Sequence, residues 1–199
     1  MAKKAFVRKD RFYQMAKKEG YPARSAYKII ELDKKYHIFK KNAVIIDLGC
    51  APGGWFMAGQ DIMQANGKII GVDLLPLTMA PLPNNAYLQA DFTLPETKDW
   101  IIAQCPDLAH WVISDRSPNI SGIKFADNLA SFELCHQAFE LAKQILKING
   151  GFICKVFPGK ELEEFRKELK SHFKKLVSFI PEATRQSSRE CYLVCIERK

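Results

Sequence analysis

Residues 47–55 read Asp47-Leu-Gly-Cys-Ala-Pro-Gly-Gly-Trp55. The apolar run Ala43-Val-Ile-Ile46 precedes them and reads as a buried strand. A helix pattern, Trp55-Phe-Met-Ala-Gly-Gln-Asp-Ile-Met63, follows. A strand, an acid, a Gly/Pro turn and a helix in that order make the ligand crevice of an open α/β sheet. The glycines let backbone approach a bulky ligand. The order is not G-x-G-x-x-G, so a dinucleotide is poorly supported. The competing reading is an ordinary strand–turn–helix of some other α/β protein.

Outward from this turn the chain alternates regularly. Strands are predicted at about 43–46, 68–72, 86–89, 111–114 and 151–155, with helices at about 54–64, 95–105 and 128–146 between them. The last of these helices carries the stripe Leu134, Ala138, Leu141, Ala142 and Ile145. Two helices precede the first strand, at about 10–18 and from Ser25, read as its N-cap, to Tyr36. A charged amphipathic helix at 161–173 and strands at 176–180 and 191–196 close the chain. This pattern predicts a Rossmann-like α/β domain: a seven-stranded, mostly parallel sheet with helices on both faces and an antiparallel edge hairpin. At 199 residues, without a linker or internal repeat, one domain is expected over 1–199.

Three successive strands end in acids: Asp47, then Asp73 in Gly71-Val-Asp-Leu-Leu-Pro76, then Asp91 in Leu88-Gln-Ala-Asp-Phe92. Ligands of such sheets sit beyond the strands' carboxyl ends. Asp73 is placed to accept two ribose hydroxyls and Asp91 an exocyclic amine, with Phe92 covering the ring. A carboxylate at position 47 repels a pyrophosphate and suits a cationic amino-acid cofactor, a requirement that S-adenosylmethionine (SAM) meets.

Charge is distributed unevenly. Residues 1–42 carry 13 Lys/Arg against 4 Asp/Glu, residues 43–165 carry 8 against 14, and residues 166–199 carry 9 against 4. An acidic middle between basic ends suits a polyanion held by the termini. Phe6, Phe12, Tyr13, Tyr21 and Tyr27 lie among the cations, which favours nucleic acid over a solubilising tail. No apolar run approaches a membrane span, and Met1-Ala-Lys-Lys4 leads into no apolar segment, so neither a membrane nor secretion is expected. Cysteines 50, 105, 135, 154, 191 and 195 form no C-x-x-C pair and read as buried thiols of a cytoplasmic protein; Cys191 and Cys195 share a strand face. Histidines 37, 110, 136 and 172 show no ligand spacing, so no metal is expected.

Six segments in order carry a specific resemblance: Gly20-Tyr-Pro-Ala-Arg-Ser-Ala-Tyr-Lys28, Asp47–Trp55, Gly71–Pro76, Ser114-Asp-Arg-Ser-Pro-Asn119 with Ser121-Gly122, Lys155-Val-Phe-Pro-Gly159, and Ser188-Arg-Glu-Cys-Tyr192. From about residue 10 to its end, the chain resembles the FtsJ-type heat-shock family of RNA 2′-O-ribose methyltransferases, close to the bacterial large-subunit ribosomal RNA enzyme. The resemblance implies a catalytic Lys-Asp-Lys-Glu set at Lys28, Asp115, Lys155 and Glu190. It implies SAM held by Gly53, Trp55, Asp73, Asp91 and Asp115, and no metal. It implies a monomer acting on a ribose of ribosomal RNA, a uridine of the large subunit or its precursor, with residues 1–42 as a basic RNA-binding extension that carries one catalytic lysine.

Chemistry explains why such a set is needed. A ribose 2′-hydroxyl is a very weak acid and must be oriented while its proton is drawn off. Lys155 is the expected general base and acts only as the neutral amine. A neighbouring cation, Lys28, favours that form; Asp115 and Glu190 favour the ammonium and fix its position. Most of the acceleration is expected from placing donor and hydroxyl together. A tRNA or mRNA-cap methyltransferase and a non-catalytic ribosome-assembly factor of the same fold are the alternatives; the intact set argues against the last. The chain departs from the family at Arg116-Ser117, where an apolar and a small residue are common, at Ile180, where a basic residue commonly precedes the proline, and at Cys50, a frequent alanine. A cation at 116 is expected to strengthen the grip on RNA or to alter ionisation near Asp115.

Overall fold

A computed structural model describes residues 10–118 and 121–199. Helices α1 (Arg11–Glu19) and α2 (Ala26–Tyr36) lead into β1 (Val44–Leu48), α3 (Gly54–Met63), β2 (Lys68–Asp73), β3 (Ala86–Gln89), α4 (Pro95–Gln104), β4 (Ala109–Ser114), α5 (Lys124–Ile145), β5 (Leu146–Val156), α6 (Glu161–His172), β6 (Phe173–Phe179) and β7 (Cys191–Arg198). The sheet order is β3-β2-β1-β4-β5-β7-β6. The first five strands are parallel neighbours, and β7 runs antiparallel to both β5 and β6. The expected hairpin therefore closes the sheet at one edge. Its antiparallel member, β7, is slotted one place in, and β6 forms the edge itself.

Period-two alternation assigns the faces. Ile46 and Leu48 of β1, Val112 of β4, Phe152 and Cys154 of β5, and Leu193 and Cys195 of β7 face one core with Phe139 of α5 and Phe165 of α6. Ile45, Ile113, Ile153, Tyr192 and Val194 face the other, against Ile29 and Leu32 of α2 and Trp55 and Phe56 of α3. By the same alternation Asp47, Asp115, Lys155 and Tyr192 belong to the α2/α3 side. That is how a lysine on α2 reaches groups at the ends of β4, β5 and β7.

Several local expectations change in detail. Asp10 caps α1 by accepting the Tyr13 N–H at 3.0 Å. Ser25 stands at the N-cap of α2, yet its side chain makes no capping bond; its carbonyl instead accepts the Trp55 indole N–H at 2.9 Å. In the α5 stripe, Ala138, Leu141, Ala142 and Ile145 are buried, while Leu134 turns to line a crevice and Cys135 and Phe139 take core positions. The aromatics near the N-terminus also divide. Phe12 and Tyr21 pack on Tyr27, with ring centroids 5.6 and 5.9 Å apart, in a small core with Ala16 and Ala183, so they are not a surface for stacking bases. Tyr13 is exposed, and Phe6 lies outside the described residues.

Five cysteines are buried, and Cys191 is half-buried; all six are free thiols. Among the described residues, no helix is long and apolar enough to cross a membrane. His136 has neighbours that sequence spacing hid. Its Nε2 lies 3.7 Å from both Glu140, one turn on, and Glu168 on α6. The Lys143 ammonium already sits 2.5 Å from Glu140 and 3.7 Å from Glu168, supplying the cation that those carboxylates require.

Candidate active site

The turn after β1 is built for close approach. Gly49 has φ 79° and Gly53 has φ 118°, values that side chains other than glycine rarely adopt. The end of β2 braces the turn: the Gly49 N–H donates to the Val72 carbonyl at 2.8 Å, and the Ala51 N–H to Asp73 Oδ2 at 2.9 Å. Asp73 Oδ1 accepts the Leu75 N–H at 2.9 Å. Each Asp73 oxygen thus holds backbone and keeps a lone pair towards a crevice of about 650 Å³, whose walls include Gly49, Ala51, Asp73, Asp115 and Leu134.

Asp47 lies beneath that turn with no exposed surface. Neither of its oxygens has a hydrogen-bond partner among the described residues. Burial, reinforced by Asp115 and Asp73, pushes its carboxyl well above the ordinary range. A buried acid without a donor favours a cation arriving nearby. Asp91 behaves in the opposite way. Its Oδ1 accepts the Thr93 N–H and hydroxyl, each at 2.9 Å, and these bonds help hold its carboxyl below the usual range.

At the ends of β4, β5 and β7 the predicted polar set forms two pairs. Lys155 Nζ lies 3.0 Å from Asp115 Oδ1 and 2.5 Å from the Asp115 carbonyl oxygen. Lys28 Nζ donates to Glu190 Oε1 at 2.6 Å. Tyr192 joins the pairs: its hydroxyl donates to Asp115 Oδ1 at 2.6 Å, and the Lys28 ammonium lies 5.7 Å from its ring centroid. Register explains the meeting, because Tyr192 stands directly opposite Lys155 across β5 and β7. Burial alone would raise the Asp115 carboxyl; Lys155, Lys28 and the Tyr192 hydroxyl more than offset it and hold it below the usual range.

The set stands between two cavities. Asp115 lines the crevice beside the β1 turn, and Lys28 and Glu190 line a second cavity of about 580 Å³ with Ser25, Ser188 and three arginines, Arg24, Arg185 and Arg189. Asp127 on its wall accepts the Ser121 N–H at 2.8 Å and the Ser121 hydroxyl at 2.7 Å.

Of the residues expected to hold a cofactor, Asp73 and Asp115 line the crevice together. Trp55 is buried: its indole donates to Ser25, and its ring lies 5.6 Å from that of Tyr192, so it braces the tyrosine that binds Asp115. Gly53 caps α3 at φ 118°, and an added β-carbon there would meet Leu77 and Met79 in ordinary contact at 3.4 Å. Sequence reading gave Tyr192 no role. Its signal was a polar-tipped aromatic on the same strand face as the buried Val194 and the half-buried Ile196. The three arginines of the second cavity had no periodic signal, because they come from two loops, Arg24 before α2 and Arg185 and Arg189 between β6 and β7.

The model of the FtsJ-like methyltransferase family matches residues 21–198. A Ribosomal RNA large subunit methyltransferase E of Methanothermobacter thermautotrophicus is 38% identical over 187 residues, covering 94% of this chain and 89% of that protein. The protein of the same name from Stutzerimonas stutzeri is 39% identical over 189 residues, covering 93% and 89%. Among solved structures, a ribosomal RNA methyltransferase of Plasmodium falciparum superposes with a TM-score of 0.78 at 31% identity, covering 89% of this chain and 98% of that one. Human methyltransferase-like protein 13, solved with S-adenosylhomocysteine (SAH), shares the fold at a TM-score of 0.54 and 14% identity, covering 80% and 74%. A family match across all but the first twenty residues and the last, with relatives near two-fifths identical along nearly the whole length, leaves one assignment: the chain belongs to the FtsJ-like methyltransferase family.

Proposed function

We propose that this protein is a SAM-dependent RNA 2′-O-methyltransferase that modifies a ribose of large-subunit ribosomal RNA, a uridine by the family resemblance. The observation that carries the chemistry is the position of the Lys28–Glu190 and Lys155–Asp115 pairs between two cavities, one rimmed by acids and one by arginines. An acidic crevice suits a cationic donor, and an arginine-lined cavity suits a phosphodiester. The names of the relatives supply the substrate, large-subunit ribosomal RNA.

The residues fit SAM. Asp47 offers a buried carboxyl without a donor, whose ionised form an arriving cation would favour, Asp73 offers paired lone pairs for ribose hydroxyls, and Asp91 keeps one oxygen for the base amine. When bound, SAM supplies a methyl group made electrophilic by its sulfonium. Lys155, held at two points by Asp115, is placed to accept the proton of the 2′-hydroxyl as the neutral amine. Asp115 orients that amine, and Tyr192 fixes Asp115. Lys28, fixed by Glu190, sets a positive charge beside the place where the hydroxyl loses its proton. Arg24, Arg185 and Arg189 grip the backbone of the target strand, and residues 1–42 extend that grip. The protein acts as a monomer in the cytoplasm.

Transfer of labelled methyl from SAM to large ribosomal subunits, free ribosomal RNA and tRNA tests the reading. Label in ribosomal RNA, recovered as a 2′-O-methylnucleoside, is the expected result. Label in tRNA alone would move the substrate, and no label in any RNA would leave an RNA-binding factor of the same fold.

A further inference from the structure

Arg116 follows Asp115 directly, yet its side chain turns away from the two lysines. Its stem covers Gly49: a β-carbon built on that glycine would lie 2.1 Å from Arg116 Cγ and 3.1 Å from Cδ. Its guanidinium carbon lies 4.8 Å from the centroid of the buried Phe92 ring. The acids whose fields reach it are Asp91 and Asp73, not Asp115. The expectation that a cation at 116 would act on Asp115 or on RNA is therefore not what this geometry favours.

Position 116 puts a flat cation, backed by a buried aromatic ring, on the wall of the crevice that Asp73 also lines. Among the described residues the guanidinium makes no hydrogen bond or ion pair, so its donors are available to a ligand. The surrounding acids, Asp73 and Asp91, disfavour a phosphate there. A planar π system with ring-nitrogen acceptors is the ligand chemistry that fits, since guanidinium both stacks on aromatic faces and donates from its edge. We propose that Arg116 is a specificity-determining residue of the cofactor site, and that with Phe92 it forms the wall against which the purine of the adenosyl ligand is held. The proposal rests on the SAM reading above and deepens it.

The test uses the full chain carrying Arg116→Lys or Arg116→Met, which keep the charge or the approximate length without the planar group. Calorimetry with SAH and with adenosine, which has the base and ribose but no methionine part, measures the base pocket. Both variants should bind both ligands roughly three- to thirtyfold more weakly, the factor of a desolvated cation–π contact. The salt dependence of RNA binding should not change. Unchanged SAH affinity in either variant overturns the proposal. Tighter SAH binding by Arg116→Met overturns it in favour of a side chain that obstructs the crevice. A flatter salt slope with intact SAH affinity makes Arg116 a phosphate contact and also overturns it. Failure of the wild-type protein to bind SAH or SAM would instead count against the proposed function itself.

Discussion

The Tyr192 hydroxyl donates to Asp115 Oδ1 at 2.6 Å, and Lys155 Nζ approaches the same oxygen at 3.0 Å. One carboxylate oxygen thus ties the central strand β4 to both members of the β5/β7 pair. Tyr192 has no exposed surface, so its hydroxyl has no water to turn to if Asp115 is lost. Removal of the hydroxyl in Tyr192→Phe deletes a bond to a charged group, expected to cost about 1.5–3 kcal/mol. The sign with pH follows from Asp115. Its folded-state carboxyl is held below the unfolded value near 3.8, so its stabilisation is present above that value and is lost as pH falls through the folded one. The stability gap between wild type and Tyr192→Phe should be widest near neutral pH and close in acid. A gap that stays constant down to pH ~2 in chemical denaturation would refute the assignment of this bond to the ionised carboxylate.

Turnover should divide the four charged residues unequally. Lys155→Ala and Asp115→Ala remove groups paired with each other at the strand ends and should abolish methyl transfer, with SAM affinity falling less in the lysine variant. Glu190→Ala should be the mildest, because Glu190 holds Lys28 rather than Lys155. Both pairs are largely buried, so stranding one partner is expected to destabilise the fold by about 3–5 kcal/mol. Rates must therefore be measured on protein shown to be folded. Single-turnover transfer by folded Lys155→Ala at a near wild-type rate would remove Lys155 as general base.

Asp47 gives a prediction of the opposite sign. Its folded-state carboxyl is raised well above 3.8, so the folded protein binds a proton that the unfolded chain has released. Its contribution to stability is greatest at low pH and is lost as pH rises through the folded value. Asp47→Asn keeps the shape without the charge. The variant should be more stable than wild type near neutral pH, with the advantage shrinking as the solution is acidified. It should also bind SAM more weakly relative to neutral SAH. An Asp47→Asn protein with the wild-type SAM to SAH affinity ratio would show that this carboxylate does not favour the sulfonium cofactor.

Asp91 tests the base pocket from its polar side. One of its oxygens is already engaged by Thr93, and the proposed function assigns the other to an exocyclic amine. Asp91→Ala should weaken SAM binding by roughly 1–3 kcal/mol, because the amine loses its acceptor. Calorimetry showing unchanged affinity would take Asp91 out of the site.

Much of this could be read from the chain because its signals were local or periodic. The β1 turn announced itself by its glycines between strand and helix, and two of them, Gly49 and Gly53, have positive φ. Strand ends bearing acids were visible because parallel strands deliver them to one edge. Lys28, Asp115, Lys155 and Glu190 came from resemblance, and their pairing as Lys155–Asp115 and Lys28–Glu190 was not legible, since it depends on β7 lying between β5 and β6. Tyr192 was missed for the same reason: its partner Asp115 is 77 residues away. Arg116 was seen as a departure, but its direction was not legible, because the neighbour that accepts its stem, Gly49, belongs to another strand end. Phe12, Tyr21 and Tyr27 misled because composition counts aromatics without saying what they pack on.

The grip on RNA is the last test. Lys3, Lys4, Arg8 and Lys9 lie outside the described residues, while Arg11 begins α1. Asp10 caps α1 and pairs with Arg24, so a truncation should stop at residue 9 to leave the cap in place. If these cations and the exposed Arg189 of the second cavity meet phosphates, RNA affinity must fall steeply with salt through counterion release. Removing one cation that neutralises a phosphate should reduce the logarithmic salt slope by about 0.7–0.9. Deletion of residues 1–9 should therefore raise the RNA KM and flatten the slope by several such steps, and Arg189→Glu should flatten it by about one. Neither change should alter SAM affinity, because Arg189 lines the second cavity and not the acid-rimmed crevice, and none of the residues proposed to hold SAM falls within 1–9. Lys28 is different within this basic segment, since its loss should cost turnover itself. A protein lacking residues 1–9 that keeps the full-length KM and salt slope on ribosomal subunits would make those cations a solubilising tail and leave the RNA grip to the arginines of the second cavity.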